Sequence, residues 1–342
     1  MTEKTSAVTP FVSIIMPIRN EEDYIQRSLG GVLNQDYPHD HMEVLIADGM
    51  SDDSTRNIVK QMAEATTISV VLVDNPGKIV PTGFNAALKQ AHGEIIVRVD
   101  GHCEIAPDYV SRGVELLQSQ DVAGVGGPIE TISEGLLGNA IAFAMSSSFG
   151  VGGSAFRTIK DRELLVDTIA FPIYGRKAIE TAGFLDEELI RNQDDEYNYR
   201  LRALGFKLLL SPKVKSRYYS RGSLRKLWTQ YYQYGLYKVR VLQKHPRQMR
   251  PRQFVPAIFV GVVIGGGLLS LLLPALGLLW IGALILYLLA DSLASVVTAA
   301  RNGWTYLPLL PLVFATLHFS YGLGFWHGLV KFRNRWGDRG HQ

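Results

Sequence analysis

Short hydrophobic runs alternate with amphipathic segments in the first hundred residues of the chain. Four runs of five or six residues are rich in Val and Ile, which indicates buried strands, and they cover 12–16, 43–47, 68–73 and 94–99. The segments between them, 21–35, 54–65 and 81–90, have helical character. Strand alternating with helix predicts an α/β domain built on a mostly parallel, Rossmann-like sheet.

The C-terminal part of the chain has a different pattern. In the 78 residues 253–330, the only formally charged side chains are Asp291 and Arg301. Pro274 and the sequence Arg301-Asn302-Gly303 divide this stretch into segments of about 20, 25 and 26 residues, each long enough to cross a hydrocarbon core of roughly 30 Å. We therefore predict a C-terminal transmembrane helical region with three helices.

Charge separates the chain near the same place. Residues 1–220 carry 21 Lys and Arg against 30 Asp and Glu, whereas 221–342 carry 14 against 2. Because the basic excess lies beside apolar segments, it indicates a membrane and argues against nucleic acid as a partner. These patterns predict four parts, namely a folded domain 1–220, a basic amphipathic interfacial segment 221–252, the transmembrane region 253–330 and a basic tail 331–342.

The predicted orientation follows from the basic residues. Six Lys and Arg between Lys238 and Arg252 favour the cytoplasm for that end of the first span, and the polar first ten residues lack the pattern of a secretory signal. We expect a multi-pass protein of the plasma (inner) membrane with its first domain on the cytoplasmic side. Three crossings put the basic tail outside, so a re-entrant segment remains an alternative. The amphipathic stretch 224–242 is expected at the membrane surface, with a core helix packed on the sheet as its alternative.

Polar residues follow each predicted strand at its carboxyl end. In open α/β sheets ligands bind in the crevice at those ends, so we expect these clusters to converge. They are Pro17-Ile18-Arg19-Asn20-Glu21, Asp48-Gly49, Asp74-Asn75-Pro76-Gly77-Lys78 and Asp100-Gly101-His102.

The sequence Asp100-Gly101-His102 places a carboxylate and an imidazole two residues apart on a turn. Together they are suited to one divalent ion, and this mixed oxygen and nitrogen ligation favours Mn²⁺ somewhat over Mg²⁺. Few protein ligands leave room for a diphosphate in the coordination sphere. Arg19 and Lys78 can face phosphates, while the Asp48 carboxylate can hold base or ribose groups.

Over about residues 11–245 the sequence resembles the inverting glycosyltransferases of family 2, which have a GT-A fold, and within them the subgroup of succinoglycan biosynthesis. Asp-Gly-His replaces the usual Asp-x-Asp metal motif, and Gln193-Asp194 replaces the usual Glu-Asp base motif. The motifs that carry the resemblance are 12–17 with Arg19-Asn20-Glu21, Ala47-Asp48-Gly49 with 51–55, 83–87, Asp100-Gly101-His102, 183–187 and 193–196.

The resemblance implies a role for each matching position. Asp194 is the expected general base, with Asp195 as the second candidate, and Asp100 and His102 are the expected ligands of Mn²⁺ or Mg²⁺. Near the membrane, Arg221, Arg225 and Trp228 are expected to face a lipid-linked acceptor or to anchor the chain at the surface. The residues expected to line the nucleotide-sugar pocket are Pro17, Arg19, Glu21, Asp48, Lys78 and Asp100.

These observations predict a membrane-anchored, non-processive enzyme of exopolysaccharide or cell-envelope glycan synthesis. It is expected to move a sugar from a nucleoside-diphosphate sugar, with UDP favoured, to a polyprenyl-linked saccharide with inversion. Two alternatives stay open. One is a polyprenyl-phosphate glycosyl synthase, which has less need of a base, and the other is a non-catalytic nucleotide-binding regulator of a membrane partner.

Overall fold

The computed structural model describes residues 9–220 and 222–337. The strands, in chain order, are β1 (Val12–Ile18), β2 (Met42–Asp48), β3 (Ser69–Asp74), β4 (Ile95–Arg98), β5 (Cys103–Ile105), β6 (Gly124–Gly126), β7 (Ile129–Ile132), β8 (Leu164–Leu165), β9 (Ile173–Gly175), β10 (Leu208–Leu210) and β11 (Ser216–Tyr219).

The helices divide into two groups by length and position along the chain. The helices before residue 204 are α1 (Ile25–Leu33), α2 (Thr55–Glu64), α3 (Val80–Leu88), α4 (Tyr109–Ser119), α5 (Gly135–Met145), α6 (Ser148–Val151), α7 (Ala155–Thr158), α8 (Arg176–Ala182) and α9 (Gln193–Ala203). The four long helices that follow are α10 (Leu224–Lys244), α11 (Val255–Leu272), α12 (Ala275–Asn302) and α13 (Leu310–Lys331).

The chain forms two compact units. The first contains Met1–Ile129 and Lys160–Tyr218, and the second contains Glu130–Ile159 and Tyr219–Gln342. The sequence analysis places a domain boundary after residue 220, and the chain passes to the second unit at Tyr219. The prediction is different for segment 130–159, which lies inside the predicted first domain but packs with the second unit.

An eight-stranded, mostly parallel sheet forms the centre of the first unit, with strand order β3-β2-β1-β4-β9-β6-β10-β8. The four strands predicted from hydrophobic runs are β1 to β4, and β1 pairs in parallel with both β2 and β4. Both β1 and β2 are buried along their whole length, which explains their uninterrupted apolar sequences. The carboxyl ends of these strands therefore meet along one edge of the sheet.

Strand β9 enters the sheet antiparallel to β4 on one side and to β6 on the other. Beyond β6, strand β10 is parallel to β6 and antiparallel to β8. Separately, β5 and β11 form an antiparallel pair next to the Asp100 turn. Strands β5, β6 and β8–β10 are two or three residues long, so no hydrophobic run in the sequence marks them.

In the second unit, α10 packs lengthwise on α13. The backbones come close because glycines face the partner helix, and an added Cβ at Gly235 would meet the Tyr321 carbonyl oxygen at 2.0 Å. A Cβ at Gly324 would likewise meet the Tyr232 carbonyl oxygen at 2.0 Å. From Gly235 onward nearly every residue of α10 is buried. The C-terminal half of this helix therefore packs against other parts of the protein and is not exposed.

Within the described residues two helices, α11 and α12, are long and apolar enough to cross a membrane. Only 11% and 6% of their most apolar windows are buried, whereas the core helix of a soluble protein would be mostly covered. The third predicted span, α13, does not meet the same test, so the structure has two candidate spans where the sequence predicts three. Helix α13 is long enough, but polar residues along it, among them Thr316, His318 and Ser320, lower its hydropathy.

Candidate active site

The loops that follow β1 and β2 are hydrogen-bonded to each other. The Asn20 N–H donates to Ser51 Oγ at 2.9 Å, and Asn20 Nδ2 donates to Asp52 Oδ1 at 2.7 Å. The Glu21 N–H donates to Thr55 Oγ1 at 2.8 Å. Asn20 has a φ of 52°, a left-handed conformation that asparagine tolerates better than most residues. The two loops therefore form one continuous edge of the predicted crevice.

Asp48, at the end of β2, has no exposed surface. Arg56 Nη1 on α2 lies 2.8 Å from Asp48 Oδ2, and Arg56 Nη2 lies 2.8 Å from Asp74 Oδ1 at the end of β3. The hydrogen bond to Asp74, together with Asp48, raises the pKa of Arg56 against the opposing effect of burial. Arg56 was not predicted as a site residue because it lies within a helix, although it follows Asp48 by only eight residues.

We expect Arg56→Ala to destabilise the first unit by about 2 kcal/mol, because it leaves the buried Asp48 carboxylate without its cation. The measurement is the midpoint of thermal unfolding. Arg112→Ala is the matched control, since Arg112 also contacts two carboxylates, Asp108 and Glu115, but all three side chains are about half exposed. Equal midpoints for wild type and Arg56→Ala would contradict this prediction.

The other predicted nucleotide-pocket residues differ in exposure. Pro17 is buried in β1 beside Ala47 of β2. Arg19 and Lys78 are exposed beyond the ends of β1 and β3, and Lys78 has a φ of 60°. Both cations therefore lie where a solvent-borne phosphate can reach them.

Asp100 lies two residues beyond β4, and its carboxylate faces a cation from the same strand. Arg98 Nε donates to Asp100 Oδ1 at 2.9 Å and Arg98 Nη2 to Asp100 Oδ2 at 3.2 Å. The Arg98 side chain is only 8% exposed. Since a carboxylate has about four lone-pair positions, this two-point contact leaves acceptor sites of Asp100 open to a metal.

His102 contacts a residue that the sequence analysis assigned to the nucleotide pocket. His102 Nδ1 lies 2.8 Å from Glu21 Oε1, and the His102 ring meets Tyr218 edge-on at 5.2 Å between centroids. A carboxylate only accepts hydrogen bonds, so Nδ1 is the donor and the Nε2 lone pair is the atom suited to a metal. Glu21 thus orients the imidazole, a role that its place after β1 did not predict.

The donor set fits a divalent ion that is bound jointly by protein and diphosphate. Asp100 offers carboxylate oxygens and His102 an oriented imidazole nitrogen, which together suit Mn²⁺. Within 9–220 and 222–337, no three His, Cys, Asp or Glu side chains form a cluster that could hold a metal.

The predicted base motif begins helix α9. Asn192, the residue before the helix, has a φ of 60°, and the Asp195 N–H donates to Asp194 Oδ1 at 2.9 Å. Glu196 is occupied by an ion pair, with Arg200 Nη2 at 2.7 Å from Glu196 Oε2. Asp194 and Asp195 are half-buried, whereas Glu196 is buried. The geometry thus separates Glu196, a structural partner of Arg200, from the two candidate bases.

Arg98 also connects the metal motif with the base motif. Burial lowers the pKa of a guanidinium, but the carboxylates of Asp100 and Asp194 outweigh it, so the pKa of Arg98 is raised. Asp194 is therefore close enough to interact with the cation that contacts Asp100. The sequence analysis missed Arg98 because it lies inside a hydrophobic run.

Two further motifs of the resemblance meet through Asn85 on α3. Asn85 Nδ2 donates to the Leu185 carbonyl oxygen at 2.9 Å, and the Leu185 N–H donates back to Asn85 Oδ1 at 2.9 Å. Asn85 Nδ2 also donates to Glu187 Oε1 at 2.9 Å. Residues 83–87 and 183–187 therefore form a structural contact beside the loop that leads to α9.

Two of the predicted acceptor-facing residues, Arg225 and Trp228, belong to the second unit. Arg225 and Trp228 are exposed on the first turns of α10, which begins after Ser223, whose Oγ accepts from the Lys226 N–H at 3.3 Å. Arg221 lies outside the described residues.

Comparison with known proteins gives the class. The model of glycosyl transferase family 2 matches residues 13–181. The mannosyltransferase PcManGT from Pyrobaculum calidifontis, solved in complex with GDP-Man and Mn²⁺, has a TM-score of 0.59 at 20% identity, over 94% of this chain and 88% of that one. S. aureus TarS 1–349 has a TM-score of 0.51 at 16% identity, over 95% and 91%. These likenesses show a GT-A fold, and the family model defines the class as glycosyltransferases.

Two relatives match over nearly the whole chain. The dolichyl N-acetyl-alpha-D-glucosaminyl phosphate 3-beta-D-2,3-diacetamido-2,3-dideoxy-beta-D-glucuronosyltransferase of Methanococcus voltae is 31% identical over 94% of this chain and 98% of its own length. The succinoglycan biosynthesis protein ExoA of Rhizobium meliloti (strain 1021) is 29% identical over 94% and 96%. The chain belongs to glycosyltransferase family 2, as an inverting enzyme. This membership favours a transferase over the non-catalytic regulator.

Proposed function

We propose that this enzyme transfers a sugar from a nucleoside-diphosphate sugar, with UDP as the favoured nucleotide, to a saccharide carried on a polyprenyl lipid. The observation that carries the proposal is the two-point contact of the buried Arg98 guanidinium with Asp100 at the end of β4, supported by the effect of the Asp194 carboxylate on the pKa of the same cation. Carboxylates suited to metal binding and to proton removal thus lie around the same crevice. The family 2 relatives in glycan synthesis support the reaction class.

In the proposed reaction, Asp194 removes the proton from the acceptor hydroxyl as that oxygen attacks the anomeric carbon, and Asp195 is the second candidate for this role. Inversion follows because there is a single displacement. Asp100 and His102 hold a divalent metal, Mn²⁺ or Mg²⁺, which when bound neutralises the charge that develops on the departing diphosphate. Glu21 acts by fixing the tautomer and ring orientation of His102.

The donor pocket is proposed to lie at the carboxyl ends of β1 to β4. Pro17 and Asp48 form its buried floor, while the exposed Arg19 and Lys78 provide cations for phosphates. Arg56 joins this set because it holds Asp48 and Asp74 together across the ends of β2 and β3. The contact with Arg56 fixes the position of the buried Asp48 carboxylate, which can then accept from a ligand hydroxyl.

The lipid part of the proposal concerns the second unit. Helices α11 and α12 are proposed to anchor the enzyme in the plasma (inner) membrane, with the catalytic unit on the cytoplasmic side. Arg221, Arg225 and Trp228 are proposed to face the acceptor or the headgroup layer, where an arginine pairs with phosphate and a tryptophan prefers the interface. With two candidate spans the chain does not form a polysaccharide channel alone, so the enzyme is proposed to be non-processive.

The polyprenyl-phosphate synthase alternative differs in the acceptor, which is then the lipid phosphate. The M. voltae relative is named as acting on a dolichyl-phosphate-linked sugar, and this favours a saccharide acceptor here. A base at Asp194 also suits a sugar hydroxyl, because a phosphate needs no proton removed to become a nucleophile.

The test is nucleotide release by purified full-length enzyme in lipid nanodiscs, with UDP- and GDP-sugars, Mn²⁺ and a polyprenyl-lipid extract. We expect release that needs both donor and lipid, with one sugar added to the lipid fraction by mass spectrometry. Absence of transfer with every donor would contradict the proposed function. A long homopolymer would contradict the non-processive mechanism, and transfer to bare polyprenyl phosphate would identify the synthase.

Removal of the metal is expected to lower turnover on the order of a hundredfold, because the leaving diphosphate then loses its neutralising charge. The same release assay with EDTA, followed by addition of Mn²⁺, Mg²⁺ or Ca²⁺ in excess, measures the effect. We expect Mn²⁺ to restore turnover best, given the imidazole ligand. Full activity in EDTA would show that no exchangeable metal takes part.

A further inference from the structure

Arg98 is the last residue of β4 and points a buried guanidinium at the Asp100 carboxylate. Its side chain is 8% exposed and makes a two-point contact with both carboxylate oxygens. Its backbone N–H is also occupied, donating to the Pro172 carbonyl oxygen at 2.9 Å. A guanidinium in this position is desolvated, so it must be compensated by fixed carboxylates.

A chain of contacts holds helix α9, which carries Asp194, on the face of the sheet that also carries Arg98. Strand β9 pairs with β4, with Tyr174 opposite Ile96. The Tyr174 hydroxyl donates to Asn198 Oδ1 at 2.7 Å, and Asn198 Nδ2 donates to Thr168 Oγ1 at 2.9 Å. Asn198 is buried and lies four residues after Asp194, which places the two on the same face of α9.

The electrostatics agree with this geometry. Asp100 and Asp194 both raise the pKa of Arg98, and Tyr174, whose pKa is raised mainly by its burial, interacts with Arg98 and Asp194 as well. Arg98, Asp100 and Asp194 thus interact electrostatically near the end of β4. The planar fork of Arg98 fixes the orientation of Asp100, the carboxylate that it contacts directly.

We propose that Arg98 is a positioning residue that couples the metal-binding and base ends of the active site, by orienting the Asp100 carboxylate through its two-point contact and by attracting the Asp194 carboxylate of α9. This inference rests on the proposed function and assigns no contact between Arg98 and substrate. It implies that metal affinity and the transfer step depend on the same buried guanidinium. It also implies that a lysine, which has charge but no fork, is a poor replacement.

The first test titrates Arg98→Lys and wild type with Mn²⁺ in the presence of UDP. Electron paramagnetic resonance measures the concentration of free Mn²⁺ at each point of the titration. We expect the Mn²⁺ affinity to fall by about ten- to a hundredfold, the range typical of partners that orient metal ligands. The matched control is Arg176→Lys. Arg176 is also only partly exposed, but it donates to the carbonyl oxygens of Gly93 and Ala91 at the other end of β4. The Mn²⁺ affinity of the Arg176→Lys variant should equal that of wild type.

The second test separates the two ends by comparing Asp100→Asn with the double variant Arg98→Met/Asp100→Asn, whose neutral side chains leave no unpaired charge at Asp100. At saturating donor and metal, we expect kcat of the double variant to be about tenfold below that of Asp100→Asn, because Asp194 has lost its cation. Thermal unfolding of all variants identifies any that fail to fold. Only variants that unfold cooperatively enter the comparison.

Two results would overturn the proposal. One is an unchanged Mn²⁺ affinity in Arg98→Lys, and the other is an equal kcat in Asp100→Asn and the double variant, which would remove the coupling to Asp194. Failure of the proposed function looks different, since the wild type would then transfer no sugar from any donor. The Mn²⁺ titration needs no turnover and would still decide whether Arg98 orients the metal ligand.

Discussion

The Asp194→Asn variant is expected to transfer sugar on the order of a thousandfold more slowly than wild type. Asparagine has nearly the same shape and can still accept from the Asp195 N–H, but it cannot take a proton from the acceptor hydroxyl. The contacts that hold α9, from Tyr174 to Asn198, are untouched. We therefore expect the loss in kcat, with little change in donor KM.

The measurement is steady-state nucleotide release at varied donor concentration, with Asp195→Asn as the matched control one residue along the same helix. The control is expected to lose less than tenfold, because Asp195 is the second candidate only. Unaffected turnover in Asp194→Asn would refute the assigned base. If only Asp195→Asn showed a large loss of kcat, Asp195 would be the general base.

The largest expected effect on stability is at Gly235, one of the positions where the backbones of α10 and α13 approach closely. In Gly235→Leu, the new Cβ would overlap the Tyr321 carbonyl oxygen at 2.0 Å and the Phe325 nitrogen at 2.9 Å. These are backbone atoms and cannot turn aside, so the helices must separate. We expect a loss of about 3 kcal/mol or more, at the upper end of the usual cost of overpacking.

Gly265→Leu on α11 is the matched control, since it adds the same side chain to an apolar helix. A Cβ at Gly265 meets nothing within 4 Å, so we expect this variant to retain the wild-type unfolding midpoint. Thermal unfolding in detergent, monitored by circular dichroism, measures both variants. If Gly235→Leu and Gly265→Leu had the same unfolding midpoint, the close packing of α10 on α13 would be contradicted.

The parts of the fold that were predictable are those in which a short stretch of sequence decides the structure alone. Strands β1 and β2 are buried on both faces, so their residues are continuously apolar and the runs 12–16 and 43–47 fall inside them. The second half of the sheet was not predictable in this way. Its strands β6 and β8–β10 have two or three residues each, and their pairing comes from partners distant in the chain.

The candidate site divides along the same line. Asp48, Asp100 and His102 were predicted because they follow strands, where polar residues are conspicuous. Arg98 and Arg56 were missed, because one lies within an apolar run and the other within a helix. Only the folded chain shows that each contacts a predicted carboxylate. Glu21 was assigned to the nucleotide pocket, yet its contact is with His102.

The membrane region shows the limit of composition as evidence. All three C-terminal segments are apolar, but α13 falls below the hydropathy of a candidate span, whereas α11 and α12 exceed it. The glycines Gly324 and Gly328 of α13 lie against the backbone of α10, a contact that only the folded chain shows.

The sequence alone determined the family, the parallel sheet, the order of the motifs and the apolar C-terminal region, since each depends on residues close together in the chain. Tertiary structure decided which charges interact. Arg98 lies 96 residues before Asp194 in the sequence, and their coupling exists because β9 pairs with β4 and Tyr174 holds α9 against it. Electrostatic contacts act through space, and a one-dimensional pattern contains no distances between strands that pair only after folding.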